Sequence, residues 1–151
     1  MPYSHDTYDR RIQLGASRRR REDAEQLHAM QRWASAIYLG GYAIECSMLA
    51  LICHNEGVNN IKDTRLFKRG FSGATLHNLT TLVDELPALK RAIVLDQTGK
   101  YKAAWNTITS LWQKDALRYW DRVGDMHECE RFLNAIKVIH AFILGQQGEI
   151  S

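Results

Sequence analysis

Residues 38–53, YLGGYAIECSMLALIC, are apolar almost throughout and carry one carboxylate, Glu45, near their middle. With residues 33–37 ahead of them, the low-polarity run reaches the length of a membrane span, roughly 20 residues. Trp33, Ile37, Gly41, Ile44, Met48 and Leu51 recur at three- and four-residue steps and make one helix face; Ala34, Tyr38, Tyr42, Glu45 and Leu49 make a second. A helix that is apolar nearly all round is buried on most sides. Three environments satisfy that: a membrane, a protein core, or a core helix that also meets another subunit. Glu45 decides against the first. A charge near the centre of a span costs roughly 2.5–3.5 kcal/mol, and no second segment of span length exists to shelter it. A soluble helix whose second face meets a cleft or a second copy takes a carboxylate more easily, and no membrane partner is expected. Gly40 and Gly41 lower helix propensity and signal a close approach by another backbone.

The chain has 151 residues, 45% hydrophobic and 25% charged, as expected of one globular domain. Pro2 and Pro87 are its only prolines, which favours helices over a turn-rich β fold. No charged-then-apolar leader opens the sequence, so secretion is not expected. Cys46 and Cys53 would lie on one helix face about 10 Å apart, too far for a disulfide. Reduced thiols and a cytoplasmic location follow. The histidines and cysteines show no zinc-site spacing, so neither a metal nor another cofactor is expected.

Helical signals run along the chain. Residues 1–16 read as an arm with one short helix at most. Ser17 is a cap for a helix to about Met30. Residues 55–74 read as a long polar loop, a length that is often functional. Thr75 caps a helix carrying Leu76, Leu79, Leu82, Val83 and Leu86. Pro87 opens a short helix to about Leu95, and Gln97 and Gly99 break the chain. Tyr101, Ala104, Trp105, Ile108, Leu111 and Trp112 form a core stripe. In DMHE, Asp125 and Glu128 form a capping box ahead of Phe132, Ala135, Ile136, Ile139, Phe142 and Ile143, and Gly145 ends that helix. Strand alternation is missing. The expectation is a single all-α domain, an up-and-down bundle of four to five helices.

Net charge is +3, and its distribution is uneven. Arg10, Arg11 and Arg18, Arg19, Arg20 and Arg21 crowd the first part; Lys62, Arg65, Lys68 and Arg69 make a second run. Such runs are ordinarily solvated surface. With a nucleic-acid signal elsewhere they become a phosphate-attracting face.

That signal comes from a resemblance. The segment AIYLGGYAIECSMLALI, with Gly41, Tyr42, Ala43, Glu45 and Cys46, resembles the second helix of HEPN domains, small helical bundles often encoded beside minimal nucleotidyltransferases. LHNLTTLVDEL, with His77, Leu79 and Leu82, resembles the family's His-x-Leu-x-x-Leu helix. LRYW resembles its Arg-Tyr, here Arg118 and Tyr119. The likeness runs from about Ser17 to Gly145. Leu49 stands where members often carry lysine, and Cys129 where the best-known toxins carry tyrosine. The catalytic branch is marked by Arg, four to six residues, then His, matched by Arg122 and His127. The resemblance implies a homodimeric, metal-independent ribonuclease, a toxin–antitoxin or defence component. The alternative is a non-catalytic module that holds RNA or a nucleotide, or serves a nucleotidyltransferase partner.

On one helix, Arg122 and His127 would point about 140° apart. With Asp125 as N-cap, Arg122 precedes the helix and His127 occupies its first turn, so the two can converge. A neutral histidine there is a base for the ribose 2′-hydroxyl, and an arginine steadies charge on the phosphate oxygens. A C2 dimer, expected through the face of Tyr38, Tyr42 and Leu49, would supply a second set. Glu45 and Tyr42 either line that cleft or, for Glu45, pair with a core arginine such as Arg118. His77 reads as a structural histidine near a helix start.

Overall fold

The structure, a computed structural model, describes residues 6–119 and 125–149, without the side chains of Ala74, Thr75 and Arg118. Among the described residues eight α-helices follow one another: α1 (Arg10–Ala29), α2 (Trp33–Glu56), α3 (Arg65–Lys68), α4 (Leu79–Asp84), α5 (Pro87–Leu95), α6 (Lys100–Leu111), α7 (Lys114–Tyr119) and α8 (Met126–Gln146). The fold is all-α. Its one β feature among the described residues is an isolated bridge between Asp9 and Asn60.

The apolar run is the spine. Fourteen residues of α2 are buried, among them Ile37, Ile44, Met48, Leu51 and Ile52. Helix α2 packs against α1, α8, α4 and α7, while α6 bridges α5 and α8. It is long and apolar enough to cross a membrane, but 78% of its most apolar window is buried inside the protein. Most of its surface meets other helices of the chain. Phe132, Ile139 and Ile143 from α8 and Leu82, Leu89 and Ile108 from α4, α5 and α6 complete the core.

Helix α1 starts earlier than Ser17. Asp9 caps it, its carboxylate accepting from the Arg11 and Ile12 amides at 2.8 and 3.4 Å. The bridge to residue 60 fixes that start: Arg10 N–H donates to Asn59 O and Ile61 N–H to Tyr8 O. Ser17 is buried mid-helix instead, its hydroxyl bonded back to Leu14 O. The turn to α2 carries two bonds that close a helix end, Gln31 N–H to His28 O and Arg32 N–H to Leu27 O. Gln31 takes the left-handed position of that motif, φ 61°, where glycine is usual.

Residues 55–74 are not a loop. Helix α2 continues to Glu56, a 3-10 turn spans Ile61–Asp63, α3 follows, and a second 3-10 turn spans Gly73–His77. Two polar residues of this stretch are caps: Asn60 receives the Lys62 amide and Thr64 the Phe67 amide. Ile61 and Leu66 are buried and anchor it to the core. Asn78, not Thr75, caps α4, accepting from the Thr80 and Thr81 amides; asparagine outranks threonine at that position. Pro87 occupies the first turn of α5, and Asp125 caps α8 by accepting from the Glu128 amide at 2.9 Å.

A carboxylate-clamped cleft as the candidate functional site

Glu45 stands on the face of α2 turned to α7 and to the turn before α4. Its side chain is 3% exposed. One oxygen meets His77 Nδ1 at 2.8 Å, the other accepts from Lys114 Nζ at 3.1 Å. Lys114 also donates to the His77 carbonyl at 2.7 Å. Arg118, the core arginine the sequence offers as a partner, has its side chain outside the described residues. Removing one side of a buried pair costs about 3–5 kcal/mol because the remaining charge is stranded. Here two donors from two other elements share one carboxylate, so Glu45 ties α2 to α7 and to the 3-10 turn at once. Its hydrogen bond raises the His77 imidazole above its ordinary value, against partial burial and Lys114.

The aromatic wall comes from α2 and the end of α6. Trp112 Nε1–H donates to Tyr38 O at 3.0 Å. Its ring meets Tyr42 edge to face at 5.2 Å, and Tyr42 meets Tyr38 in the same way. The Lys114 ammonium lies 4.5 Å from the Trp112 ring centre. Gly41 makes this possible. A Cβ there would stand 2.0 Å from Trp112 Cε2 and Nε1. The close approach signalled by the two glycines is thus by side chains: Trp112 at Gly41, and Phe132 with Leu133 at Gly40.

These groups open onto a cleft of about 1000 Å³, whose lining includes Tyr42, His77, Trp112, Lys114, Asp115 and Tyr119. Tyr42 and Tyr119 both line it, and Glu45 holds it from beneath. His127 is exposed in the first turn of α8 and does not line it. Arg122 lies outside the described residues, as does the Arg118 side chain, and Tyr119 is the last described residue before Arg122.

The basic runs stand elsewhere. Arg18 pairs with Glu149, Arg20 with Asp23, Arg21 with Glu25, and Arg69 with Glu85. None of Arg18, Arg19, Arg20, Arg21, Lys68 or Arg69 lines the cleft. The expected dimer face is also altered. Leu49 is 3% exposed and belongs to the protein's own core, because α2 is wrapped by α1, α4, α7 and α8 rather than left with a free stripe.

Sequence reasoning missed Lys114 and His140, and placed Trp112 in the core stripe without its contact to Gly41. His140 is buried; its Nε2 lies 3.2 Å from Ser17 Oγ and its Nδ1 3.5 Å from Arg21. Burial, with Arg21 and Arg18 nearby, pushes its imidazole down to about 4. Burial likewise pushes the Cys46 thiol up to about 12 and Cys53 and Cys129 up to about 11, and all three are free. Comparison with known proteins returns no match to a family model, a curated protein or a solved structure.

Proposed function

We propose that this protein is a cytoplasmic HEPN-type domain that acts on RNA, with the cleft beside α2 as its RNA-binding surface. One observation carries the reading: buried Glu45 presents an imidazole and an ammonium beside the aromatic wall of Tyr42 and Trp112. Cations beside aromatic rings are what a nucleotide unit needs, since the phosphate takes the charge and each base stacked on a ring contributes about 1–3 kcal/mol. The reaction assigned to it is metal-independent cleavage. His127 takes the proton of the 2′-hydroxyl, the 2′-oxygen bonds to phosphorus, and the 5′-oxygen leaves, giving a 2′,3′-cyclic phosphate and a 5′-hydroxyl. Arg122 steadies the charge on the phosphate oxygens. A homodimer, and a toxin or defence role, go with this reading.

A second reading, a module that grips RNA or a nucleotide without cutting it and serves a nucleotidyltransferase partner, is favoured by the Tyr42 ring at the cleft, on which a base can stack without chemistry. Incubation of labelled RNA with the protein in EDTA separates the two. Cyclic-phosphate products, lost in His127→Ala, support cleavage. Salt-sensitive binding without products supports the module. Neither binding nor products sinks both.

A further inference from the structure

We propose that His77, positioned by Glu45, donates the proton to the departing 5′-oxygen in the RNA cleavage set out above; the proposal rests on that reading. In-line attack by a 2′-oxygen needs a base at one end and an acid at the other, because an alkoxide leaves poorly. His127 is assigned the first role, from this chain or from a second copy. Among the described residues, the histidine in the cleft is His77.

Its geometry suits an acid. Nδ1 is committed to Glu45 at 2.8 Å, yet the side chain is 47% exposed and lines the cleft. Nε2 is therefore the ring nitrogen turned to a ligand. Glu45, 3% exposed, holds the ring from behind and keeps a proton on Nδ1 in both charge states. The proton that leaves is the one on Nε2: the P–O5′ bond breaks, the electron pair goes to O5′, and the Nε2 proton joins it. What remains is the neutral Nδ1–H tautomer, still bonded to Glu45, and exchange with water reloads Nε2. Among the described residues, three charged groups face or border the imidazole: Glu45 from α2, and Lys114 and Asp115 from α7. Glu45 dominates and favours the charged ring, the form that can donate a proton. Lys114 is not free for the role, since its ammonium already donates to Glu45 and to the His77 carbonyl and rests on Trp112.

A leaving sulfur needs no proton, and that supplies the test. Wild type and His77→Gln are assayed in EDTA on an oligoribonucleotide with an ordinary 5′-oxygen at the scissile bond and on its counterpart with a bridging 5′-sulfur. Glutamine still donates to Glu45 but carries no transferable proton. The expected result is a loss of about 10²- to 10⁴-fold on the oxygen substrate with near wild-type cleavage of the sulfur substrate. In wild type, the fall in rate at alkaline pH is expected with oxygen and absent with sulfur. Wild-type speed of His77→Gln on oxygen, or equal loss on both substrates with the helical circular dichroism intact, overturns the proposal. If the variant loses its helical signal, the wild-type pH profiles decide, and the same alkaline limb on both substrates overturns it. A wild-type protein that cuts neither substrate fails the nuclease reading itself, and the acid role with it.

Discussion

Gly41→Ala is expected to destabilise the protein, although alanine is the better helix former. The gain in propensity is about 1 kcal/mol. Against it stands a methyl placed 2.0 Å from Trp112 Cε2 and Nε1 and 2.3 Å from Cδ1, so the indole must withdraw by more than an ångström. It cannot withdraw without loss. Its N–H is bonded to Tyr38 O, Tyr42 stands edge-on to it, and Lys114 lies over its face. Overpacking costs about 1–3 kcal/mol and the hydrogen bond about 1 kcal/mol. The net loss is about 1–3 kcal/mol, a fall in Tm of roughly 2–12 °C for a chain of this size. Urea unfolding followed by circular dichroism measures it, and a double-mutant cycle assigns it. In a Trp112→Ala background the same substitution should be neutral or stabilising by up to about 1 kcal/mol. Equal losses in both backgrounds, or no loss in the first, would refute the packing argument.

Two further substitutions read separate features. His140 is held neutral by burial at about 4, so it binds a proton more readily in the unfolded chain, at its ordinary 6.5; the stability it contributes is present above 6.5 and lost as pH falls towards 4, on the order of 3 kcal/mol. Urea midpoints at pH 7 and pH 4 should show His140→Gln losing less than wild type, and identical losses would exclude that source. Gln31→Gly should raise stability by about 0.5–1 kcal/mol, because glycine takes φ 61° without the Cβ penalty; a lower Tm would show that the Gln31 side chain contributes more than its backbone costs.

Local signals carried much of the fold. The apolar run is the buried spine, Pro87 opens α5, the stripe from Tyr101 builds α6, and Asp125 caps α8, each through residues a few positions apart. Competing caps misled: Ser17 and Thr75 are good caps in isolation, but Asp9 and Asn78 do the capping because the bridge at Asn60 and the turn at His77 set where each helix begins. Residues 55–74 read as loop because polar residues there, Asn60 and Thr64, are caps, while Ile61 and Leu66, with Val58, Phe67 and Phe71 against the core, carry the packing. The site was half legible. Glu45 was marked by its surroundings, but its partners lie 32 and 69 residues away, and nothing local ties a lysine after Trp112 to a carboxylate on α2. The stripe from Tyr101 already puts Trp112 in the core, and the paired glycines are the trace of its close approach to α2. His140 left none, since a histidine on a helix face looks alike exposed or buried.

The clamp on Glu45 is tested most directly by an NMR titration of the His77 ring in wild type and in Glu45→Gln. With the carboxylate on Nδ1, the wild-type imidazole should titrate above its ordinary 6.5, and removal of that charge should bring it down to or below that value. A wild-type ring that titrates at or below 6.5, or one that Glu45→Gln leaves unmoved, would contradict the pairing on which the cleft, the RNA reading and the acid role of His77 all stand.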